Sequence, residues 1–281
     1  MSAPEAPSQA GAPIVEPAPW EMIIFDNVSL AFEENRVLEG VSFRLTHGET
    51  KILLGVAGTG KSTILKLALG LLTPDSGHIY VLGHDVTAMP EEDLFVLRRE
   101  MGMVFQESAL FDSLTVKENV GYRLIEEGDS EEEVERRVRE ALCFVELEGT
   151  MDMFPSELSG GMRRRVAIAR AIISQPEVLL YDSPTAGLDP ITSTTIIELV
   201  VKQRDVYHTS ALLVTHRLQD AFIMASHCFD KQTNRMRPIE KGERVEVNTS
   251  FVILRDAKVI FDGTAEELAH SRDEYIREYL S

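Results

Sequence analysis

The chain has 281 residues, 44% of them hydrophobic, and a formal net charge of −18 from 28 Lys and Arg against 46 Asp and Glu. This length supports one large hydrophobic core or two small ones. The acidic balance excludes a protein whose main task is to wrap nucleic acid, because neutralising phosphates needs a basic face. The two cysteines, Cys143 and Cys228, lie far apart without CxxC spacing, which fits free thiols in a reducing cytosol.

The sequence predicts no direct insertion into a membrane. No apolar run approaches the roughly 20 residues that span a bilayer. Residues 1–19 are rich in Ala and Pro and lack the basic start and apolar stretch of a signal peptide, so we expect a disordered leader there. The acidic charge also disfavours attachment to anionic lipid. If the protein works at a membrane, another chain must hold it there.

The first part of the chain after the leader predicts strands and two helices. Partial alternation of apolar and polar residues is typical of an antiparallel sheet near the start, and short apolar runs indicate further strands. Pro74 is expected to stop the first helix. Strands are expected over 22–32, 41–45, 51–54, 77–82 and 101–105, and helices over 61–72 and 90–99.

The segment 107–162 has a helical pattern. Two residue pairs have the spacing of capping boxes, Thr115 with Glu118 and Ser130 with Glu133. A stripe of Val134, Val138, Leu142 and Val145 predicts core packing. Ion pairs at i,i+4 spacing are expected between Glu132 and Arg136, Glu133 and Arg137, and Glu135 and Arg139.

The remainder alternates helices and strands, which predicts a mostly parallel sheet covered on both faces and hence an α/β fold. Residues 230–250 are rich in charged and polar side chains and are interpreted as a polar insertion, either a surface hairpin or a docking site for another subunit. Helices are expected over 164–173, 192–203, 218–225 and 266–280, strands over 178–181 and 211–214, and a hairpin over 251–261.

Residues 55–62 match the phosphate-binding pattern GxxxxGK[ST] in full. They read Gly55-Val56-Ala57-Gly58-Thr59-Gly60-Lys61-Ser62 and are followed by Thr63. The glycines let backbone N–H groups crowd a triphosphate, aided by the positive end of the helix that follows. Lys61 would place a point charge at the β- and γ-phosphates, and the Ser62 hydroxyl would ligate Mg²⁺. A plain glycine turn is disfavoured because the loop follows an apolar strand and opens a helix.

Two further features fit the same chemistry. Asp182 ends an apolar strand and would hold Mg²⁺ through water, although a strand-end helix cap is the alternative. Ser159 precedes Gly160 and Gly161 at the start of a helix, where a serine cap and two glycines permit close approach by a phosphate. Residues 163–165 are three arginines in the first turn, where the helix dipole disfavours cations; they either form a solvated basic face or have partners.

These motifs, in this order, resemble those of ATP-binding cassette (ABC) transporter ATPases. The likeness rests on the 55–62 loop, Gln106, the Leu-Ser-Gly-Gly-Met segment at 158–162, Asp182, Ala-Gly-Leu-Asp at 186–189, and His216. The resemblance implies an ABC ATPase domain over 20–281. That domain would have a P-loop NTPase (RecA-like) core, an antiparallel β subdomain and a helical signature subdomain at about 107–165.

The resemblance also implies roles for individual residues. Two copies would stack head to tail and sandwich two ATP molecules, each between the 55–62 loop of one copy and Ser159, Gly160 and Gly161 of the other. Gln106 would contact Mg²⁺ and the attacking water, and His216 would contact the γ-phosphate. Asp189 would communicate across the dimer. Phe32 would stack on adenine, with a role as a core aromatic as the alternative.

Residues 103–120 carry a narrower likeness. The stretch Ala-Leu-Phe-Asp-Ser-Leu-Thr-Val at 109–116 is similar to ATPases of the Mla/Mce type, which drive phospholipid movement between envelope layers. That implies a peripheral position at the cytoplasmic face of the inner membrane, with an Mce-domain protein in the complex. Leu110, Phe111 and Leu114 would then form a socket for a permease helix; otherwise they simply pack the start of the next helix.

Position 183 departs from the family pattern. Related ATPases usually carry Glu here, whereas this chain has Ser183, which is a poor base at neutral pH. Three explanations are open: a naturally slow ATPase, positioning of water by Gln106 and His216 alone, or an introduced change that traps the ATP-bound dimer. We expect ATP binding and dimer closure to survive in each case.

The resemblance leaves other functions open. The ATPase does not contact the cargo, so an ABC transporter for another substrate is one alternative. A nucleotide-gated regulator that hardly hydrolyses ATP is a second, because of Ser183. A soluble ABC protein acting on nucleic acid or ribosomes is disfavoured, because those commonly carry paired cassettes or a long coiled-coil insertion, and this chain has neither.

Overall fold

The computed structural model describes residues 17–240, 243 and 247–280. The strands are β1 (Glu21–Phe32), β2 (Asn35–Thr46), β3 (Thr50–Leu54), β4 (Ser76–Val81), β5 (His84–Asp85), β6 (Met101–Val104), β7 (Val178–Asp182), β8 (Ser210–Val214), β9 (His227–Asp230), β10 (Arg235–Pro238), β11 (Thr249–Arg255) and β12 (Lys258–Thr264). The α-helices are α1 (Lys61–Ala68), α2 (Glu91–Leu97), α3 (Val116–Glu127), α4 (Glu131–Phe144), α5 (Gly160–Ile172), α6 (Pro190–Tyr207), α7 (Leu218–Ser226), α8 (Ala265–Ala269) and α9 (Glu274–Tyr279).

A six-stranded sheet with the order β12-β11-β3-β8-β7-β6 forms the centre of the fold. β11, β3, β8, β7 and β6 pair in parallel, and β12 joins the edge antiparallel to β11. Every residue of β3 and β8 is buried. Strands buried on both faces are typical of parallel sheets covered by helices. The predicted α/β architecture is therefore confirmed.

The two faces of this sheet belong to two different hydrophobic cores. Successive side chains of a strand point to opposite faces, so Ile52 joins one core and Leu53 joins the other. The Ile52 core packs against α3, α4, α5 and α6. The Leu53 core lies under a second, antiparallel sheet of order β2-β1-β4-β5. The predicted antiparallel strands near the start of the chain thus cover one face of the main sheet.

The helical segment between β6 and β7 follows the predicted pattern, with corrections to its surface. The stripe of Val134, Val138, Leu142 and Val145 is buried as expected. The Thr115–Glu118 capping box is present. The Ser130–Glu133 box was predicted wrongly in its second half: Ser130 accepts a hydrogen bond from the Glu133 N–H, but the Glu133 carboxylate binds Arg136 instead.

Only one of the three predicted ion pairs on α4 forms. Glu135 and Arg139 are 2.7 Å apart. The pairs Glu132–Arg136 and Glu133–Arg137 were wrong predictions, because Arg136 binds Glu133 at i,i+3 and Glu140 at i,i+4 instead. Arg137 turns inward and donates to the Ile173 carbonyl of the neighbouring segment. The i,i+3 spacing thus provides the partner of Glu133, and a tertiary contact provides the partner of Arg137.

Two predicted helix boundaries were also wrong. α1 ends at Ala68, short of residue 72, because Gly70 adopts a left-handed φ of 64°. The single helix predicted over 266–280 is two short helices, since Asp273 caps the second by accepting a hydrogen bond from the Ile276 N–H.

The polar segment 230–250 forms, in part, the end of a surface hairpin. β9 and β10 pair antiparallel, with Arg235 opposite Asp230. Within this segment, residues 241–242 and 244–246 lie outside the described residues, as do residues 1–16 of the predicted leader. Among the described residues, no helix is both long enough and apolar enough to cross a bilayer.

Gly102 marks a close contact between β6 and α5, and it yields a test of the packing. A Cβ at Gly102 would lie 2.3 Å from the Ala171 carbonyl oxygen, which is backbone and cannot move aside cheaply. We expect Gly102→Ala to lower the free energy of unfolding by about 1–3 kcal/mol. Gly149→Ala is the matched control, because nothing lies within 4 Å of a Cβ there. Equal urea midpoints for the two variants would contradict this packing.

Candidate functional site

The parallel sheet brings four candidate loops to one edge. The 55–60 loop follows β3, His216 follows β8 after Thr215, Asp182 ends β7, and Gln106 follows β6 after Phe105. In the register, Leu53 pairs with Val214 and Val214 with Asp182. Ligand sites of open α/β sheets lie at such carboxyl ends. The structure thus places these four loops together at the carboxyl edge of the parallel sheet.

The 55–62 loop wraps around its own lysine. Lys61 is 8% exposed, and its Nζ donates to the carbonyl oxygens of Gly55 at 2.8 Å and Val56 at 2.7 Å. Burial lowers the pKa of the Lys61 ammonium, and the nearby Asp182 opposes that shift. Gly60, with a φ of 87°, precedes α1 and offers no side chain to its first turn. Val56, Ala57 and Gly58 are exposed and Thr59 and Thr63 half-buried, so the loop presents backbone to solvent.

Ser62 and Asp182 meet across the edge of the sheet. The Ser62 hydroxyl donates to Asp182 Oδ1 at 3.0 Å. Hydroxyl and carboxylate oxygens suit Mg²⁺, which takes few protein ligands and keeps waters and substrate phosphates for the rest. Within the described residues, no group of three or more His, Cys, Asp or Glu side chains could hold a metal ion. The pair therefore fits a Mg²⁺ that arrives with a nucleotide, and does not fit a dedicated protein cage.

Ser183 is held in a fixed turn directly after β7. Its backbone has a left-handed φ of 47°, and the residue is 8% exposed. Its N–H donates to the Val214 carbonyl at 2.9 Å, and its own carbonyl accepts from the Ala186 N–H. Backbone hydrogen bonds thus fix residue 183. A different side chain at this position would therefore extend from the same Cα position.

The loop after Gln106 is fastened to α5 by arginines. Arg164 Nη1 donates to the Phe105 carbonyl at 3.0 Å. Arg170 donates to the carbonyls of Ser108 at 2.8 Å and Ala109 at 2.6 Å. Burial lowers the pKa of both guanidinium groups, and Asp182 opposes the shift at Arg164. Gln106 itself is exposed between these attachment points.

Of the two alternatives for residues 163–165, the structure shows the second: the three arginines have hydrogen-bond partners and do not form a solvated basic face. Arg164 is only 5% exposed, and its Nε is buried without a hydrogen-bond partner among the described residues. Arg163 donates to the Leu158 carbonyl at 2.6 Å, and Arg165 to the Val145 carbonyl at 3.0 Å. These carbonyl partners lie outside α5, which is why a helical pattern could not reveal them.

The signature segment opens α5 at an exposed surface. Ser159 caps the helix by accepting a hydrogen bond from the Met162 N–H, and both Ser159 and Gly160 are exposed. A Cβ on Gly161 would lie 2.4 Å from Thr192 Cγ2, so Gly161 permits the close contact with α6. The positive end of α5 is therefore open to a partner molecule.

Asp189 caps α6 and is exposed. Its carboxylate accepts hydrogen bonds from the N–H groups of Ile191 and Thr192, and from the Thr192 hydroxyl at 2.6 Å. These bonds, led by the Thr192 hydroxyl, lower the pKa of Asp189. The residue therefore has a helix-capping contact within its own chain as well as a surface position.

His216 is exposed in a turn that a buried network stabilises. Asp220, 3% exposed, accepts a hydrogen bond from the Thr185 hydroxyl and lies 3.4 Å from Arg217 Nε. Arg217 also donates to the Ser193 hydroxyl at 2.7 Å. This network was not predicted from the sequence, although an acidic residue within the apolar stretch 218–225 was a signal for it.

Phe32 lies at the end of β1 and is 48% exposed, which excludes the core role that was its alternative.

Phe111, 47% exposed, has its ring 5.0 Å from that of Tyr122, whereas Leu110 and Leu114 are half-buried. The fully buried Asn119 side chain binds the Phe111 N–H and the carbonyls of Phe111, Leu114 and Thr115. One amide thus holds the whole 111–115 turn.

Comparison with known sequences identifies the family of the chain. The sequence profile of the ABC transporter family matches residues 38–186. Protein TRIGALACTOSYLDIACYLGLYCEROL 3, chloroplastic, of Arabidopsis thaliana is 38% identical over 265 residues, covering 91% of this chain and 72% of that protein. Methionine import ATP-binding protein MetN 1 of Staphylococcus aureus is 36% identical over 232 residues, covering 81% of this chain and 66% of that protein.

Solved structures give the same result. The dimeric structure of the ATP-binding cassette MJ0796 bound to ADP and Pi superposes with a TM-score of 0.72 at 28% identity, covering 86% of this chain and 98% of that chain. The structure of cbiO1 from Clostridium perfringens superposes with a TM-score of 0.74 at 25% identity, covering 92% and 94%. The predicted ABC ATPase fold is confirmed. This chain therefore belongs to the ABC transporter family, as an ATP-binding cassette for which ATP hydrolysis is the expected activity.

Proposed function

We propose that this chain is the ATP-hydrolysing subunit of an ABC transporter that moves phospholipids across or between bacterial envelope membranes. The meeting of Lys61, Ser62 and Asp182 at one sheet edge carries the ATPase part of the proposal. The lipid part is supported by the 38% identity, over 91% of the chain, to a relative named for a galactolipid.

A transporter for a different substrate is the second candidate. Methionine import proteins are 36% identical over 81% of this chain, which is nearly as strong a likeness. The cassette does not contact the cargo, so its own fold is compatible with either substrate. The cargo must therefore be tested in the assembled complex.

The position of each residue supports the role we propose for it. Lys61 and the exposed backbone of the loop would hold the β- and γ-phosphates, and Phe32 offers an exposed ring for adenine. Ser62 and Asp182 would hold Mg²⁺, which neutralises charge on the transferred phosphoryl group. Gln106 and His216, from the ends of β6 and β8, would position the attacking water and the γ-phosphate.

The second half of the nucleotide site would come from another copy of the chain. Ser159 and Gly160 are exposed at the N-terminus of α5, which is suited to an anion. Dimeric ABC cassettes are among the structures this chain resembles. We propose a head-to-tail homodimer in which Gly161 and Asp189 also lie at the interface, the latter communicating between the two sites.

The 110–114 surface is the proposed contact with a membrane permease. The half-exposed Phe111 ring and its neighbour Tyr122 offer an apolar face, and Asn119 fixes the turn that carries it. Docking there would place the chain at the cytoplasmic face of the inner membrane without inserting it. We propose an Mce-domain protein as a further member of the complex. We propose no nucleic-acid partner.

Purification of the complex separates the two transport functions. We expect the chain to co-purify from detergent extracts with a permease and an Mce-domain protein, and the reconstituted complex to hydrolyse ATP faster with added phospholipid. Stimulation by methionine without any effect of phospholipid would select the second candidate. Co-purification of ribosomal RNA would contradict the transport function. Scattering that never shows a dimer with Mg²⁺ and ATP would contradict the proposed homodimer.

Ser183 predicts a slow chemical step. A neutral hydroxyl is a poor base at neutral pH, and a positioned carboxylate typically contributes about 10²- to 10⁴-fold to such a step. We expect Ser183→Glu to raise ATP turnover of the assembled transporter at least about tenfold. Ser183→Ala is the matched control and should leave the rate within about twofold, because an inert hydroxyl supplies none of that gain. A Glu variant no faster than the Ala variant would refute the prediction.

Arg164 predicts a further loss of turnover through the Gln106 loop. Arg164→Met keeps most of the buried volume but removes the donor to the Phe105 carbonyl and the cation near Asp182. We expect kcat to fall at least about tenfold, since small displacements of positioning groups are costly. Arg139→Met, which alters an exposed helix pair, is the control and should leave kcat unchanged. An unchanged kcat in Arg164→Met would show that Gln106 does not depend on this contact.

A further inference from the structure

The short helix α9 makes a direct hydrogen bond to the phosphate-binding loop. The Gly55 N–H donates to the Tyr279 hydroxyl oxygen at 3.1 Å, across 224 residues of sequence. Gly55 is the first residue of the loop and is buried. The last helix described in the chain, α9, therefore contacts the phosphate-binding loop that follows β3.

Gly55, together with Val56, also orients Lys61. The Gly55 carbonyl accepts a hydrogen bond from Lys61 Nζ at 2.8 Å. Gly55 has a φ of 148°, and a Cβ there would lie 2.6 Å from the Leu254 carbonyl oxygen, so the position has no room for a side chain. One glycine thus has its N–H bound by Tyr279 and its carbonyl bound by Lys61.

α9 is anchored well enough to act as a fixed support. Ile276 is 1% exposed in the hydrophobic core, and Asp273 caps the helix. The Arg255 guanidinium lies 4.1 Å from the centroid of the Tyr275 ring, which stacks 6.0 Å from the ring of Tyr279. Arg255 ends β11, the strand that pairs in parallel with β3. The helix and the loop are therefore attached to neighbouring strands of one sheet.

The Tyr279 hydroxyl stays in its neutral form at physiological pH. Burial raises the pKa of Tyr279, and the hydrogen bond from Gly55 only partly opposes that shift. A neutral phenol accepts a hydrogen bond from a backbone N–H without placing a negative charge beside the phosphates. The contact thus suits a site that must bind an anion.

We propose that Tyr279 is a positioning residue for nucleotide binding: its hydroxyl fixes Gly55 and, through the Gly55 carbonyl, the direction of Lys61. This inference rests on the proposed assignment of the 55–62 loop to the triphosphate. The contact exists before any chemical step, so it serves substrate and transition state alike. Its loss therefore raises KM and leaves kcat nearly unchanged.

The test compares Tyr279→Phe with Tyr275→Phe in the full chain. Both variants lose one hydroxyl and keep the ring, but only the first loses the bond to Gly55. We expect Tyr279→Phe to weaken the Kd for ATP and raise KM by about three- to tenfold, as for one lost hydrogen bond. The Tyr275 variant should match the unaltered chain. kcat at saturating ATP should change less than about twofold in either variant.

Two further measurements keep the outcomes distinct. Thermal unfolding without nucleotide should be the same for both variants, whereas the rise in Tm on adding ATP should be smaller for Tyr279→Phe. Lys61→Ala tests the loop itself and should abolish ATP binding. Normal ATP binding by Lys61→Ala would overturn the proposed loop function. Loss of binding in that variant, with equal Kd values for the two tyrosine variants, would overturn the Tyr279 inference alone.

Discussion

The register of β3, β8 and β7 is the constraint on which the candidate site depends. Leu53 is opposite Val214 and Val214 is opposite Asp182, so three loops leave the sheet at the same level. A slip of one residue would move every side chain of a strand to the other face. Because the side chains of the two faces pack into separate cores, such a slip would disrupt the packing of both cores. Hydrophobic packing therefore holds Asp182 within reach of Ser62.

Electrostatics at the site differs from that of the whole molecule. The chain has a net charge of −18, yet Lys61 and Arg164 are buried cations near Asp182. With Ser183 neutral, the position where related ATPases carry a carboxylate adds no negative charge here. On the proposed assignment, this balance favours holding an anionic triphosphate over activating water. Tight binding and slow turnover would then have a common electrostatic origin.

Local sequence patterns predicted the parts of the site that are themselves local. The glycine loop, the strand ending at Asp182 and the Ser159 cap each occupy a few consecutive residues, and the structure has the predicted elements there. The arginine contacts to carbonyls, the Asp220 network and the Tyr279 bond join residues up to 224 positions apart. No periodicity reports such contacts, because they depend on how elements pack together. The split of the last helix was missed for a related reason: an amphipathic pattern continues across the break that Asp273 introduces.

The arginine contacts of α5 are made to backbone oxygens, and that has a consequence for how the cassette meets its partners. Arg164 and Arg170 bind the carbonyls of Phe105, Ser108 and Ala109, which every amino acid at those positions would supply. The outward-facing side chains of the same loop can thus be replaced without losing these hydrogen bonds between the loop and α5. On the proposed docking of a permease at this surface, recognition of the companion subunit and transmission of force would be chemically independent, so the same joint between the loop and α5 could serve many different transporters.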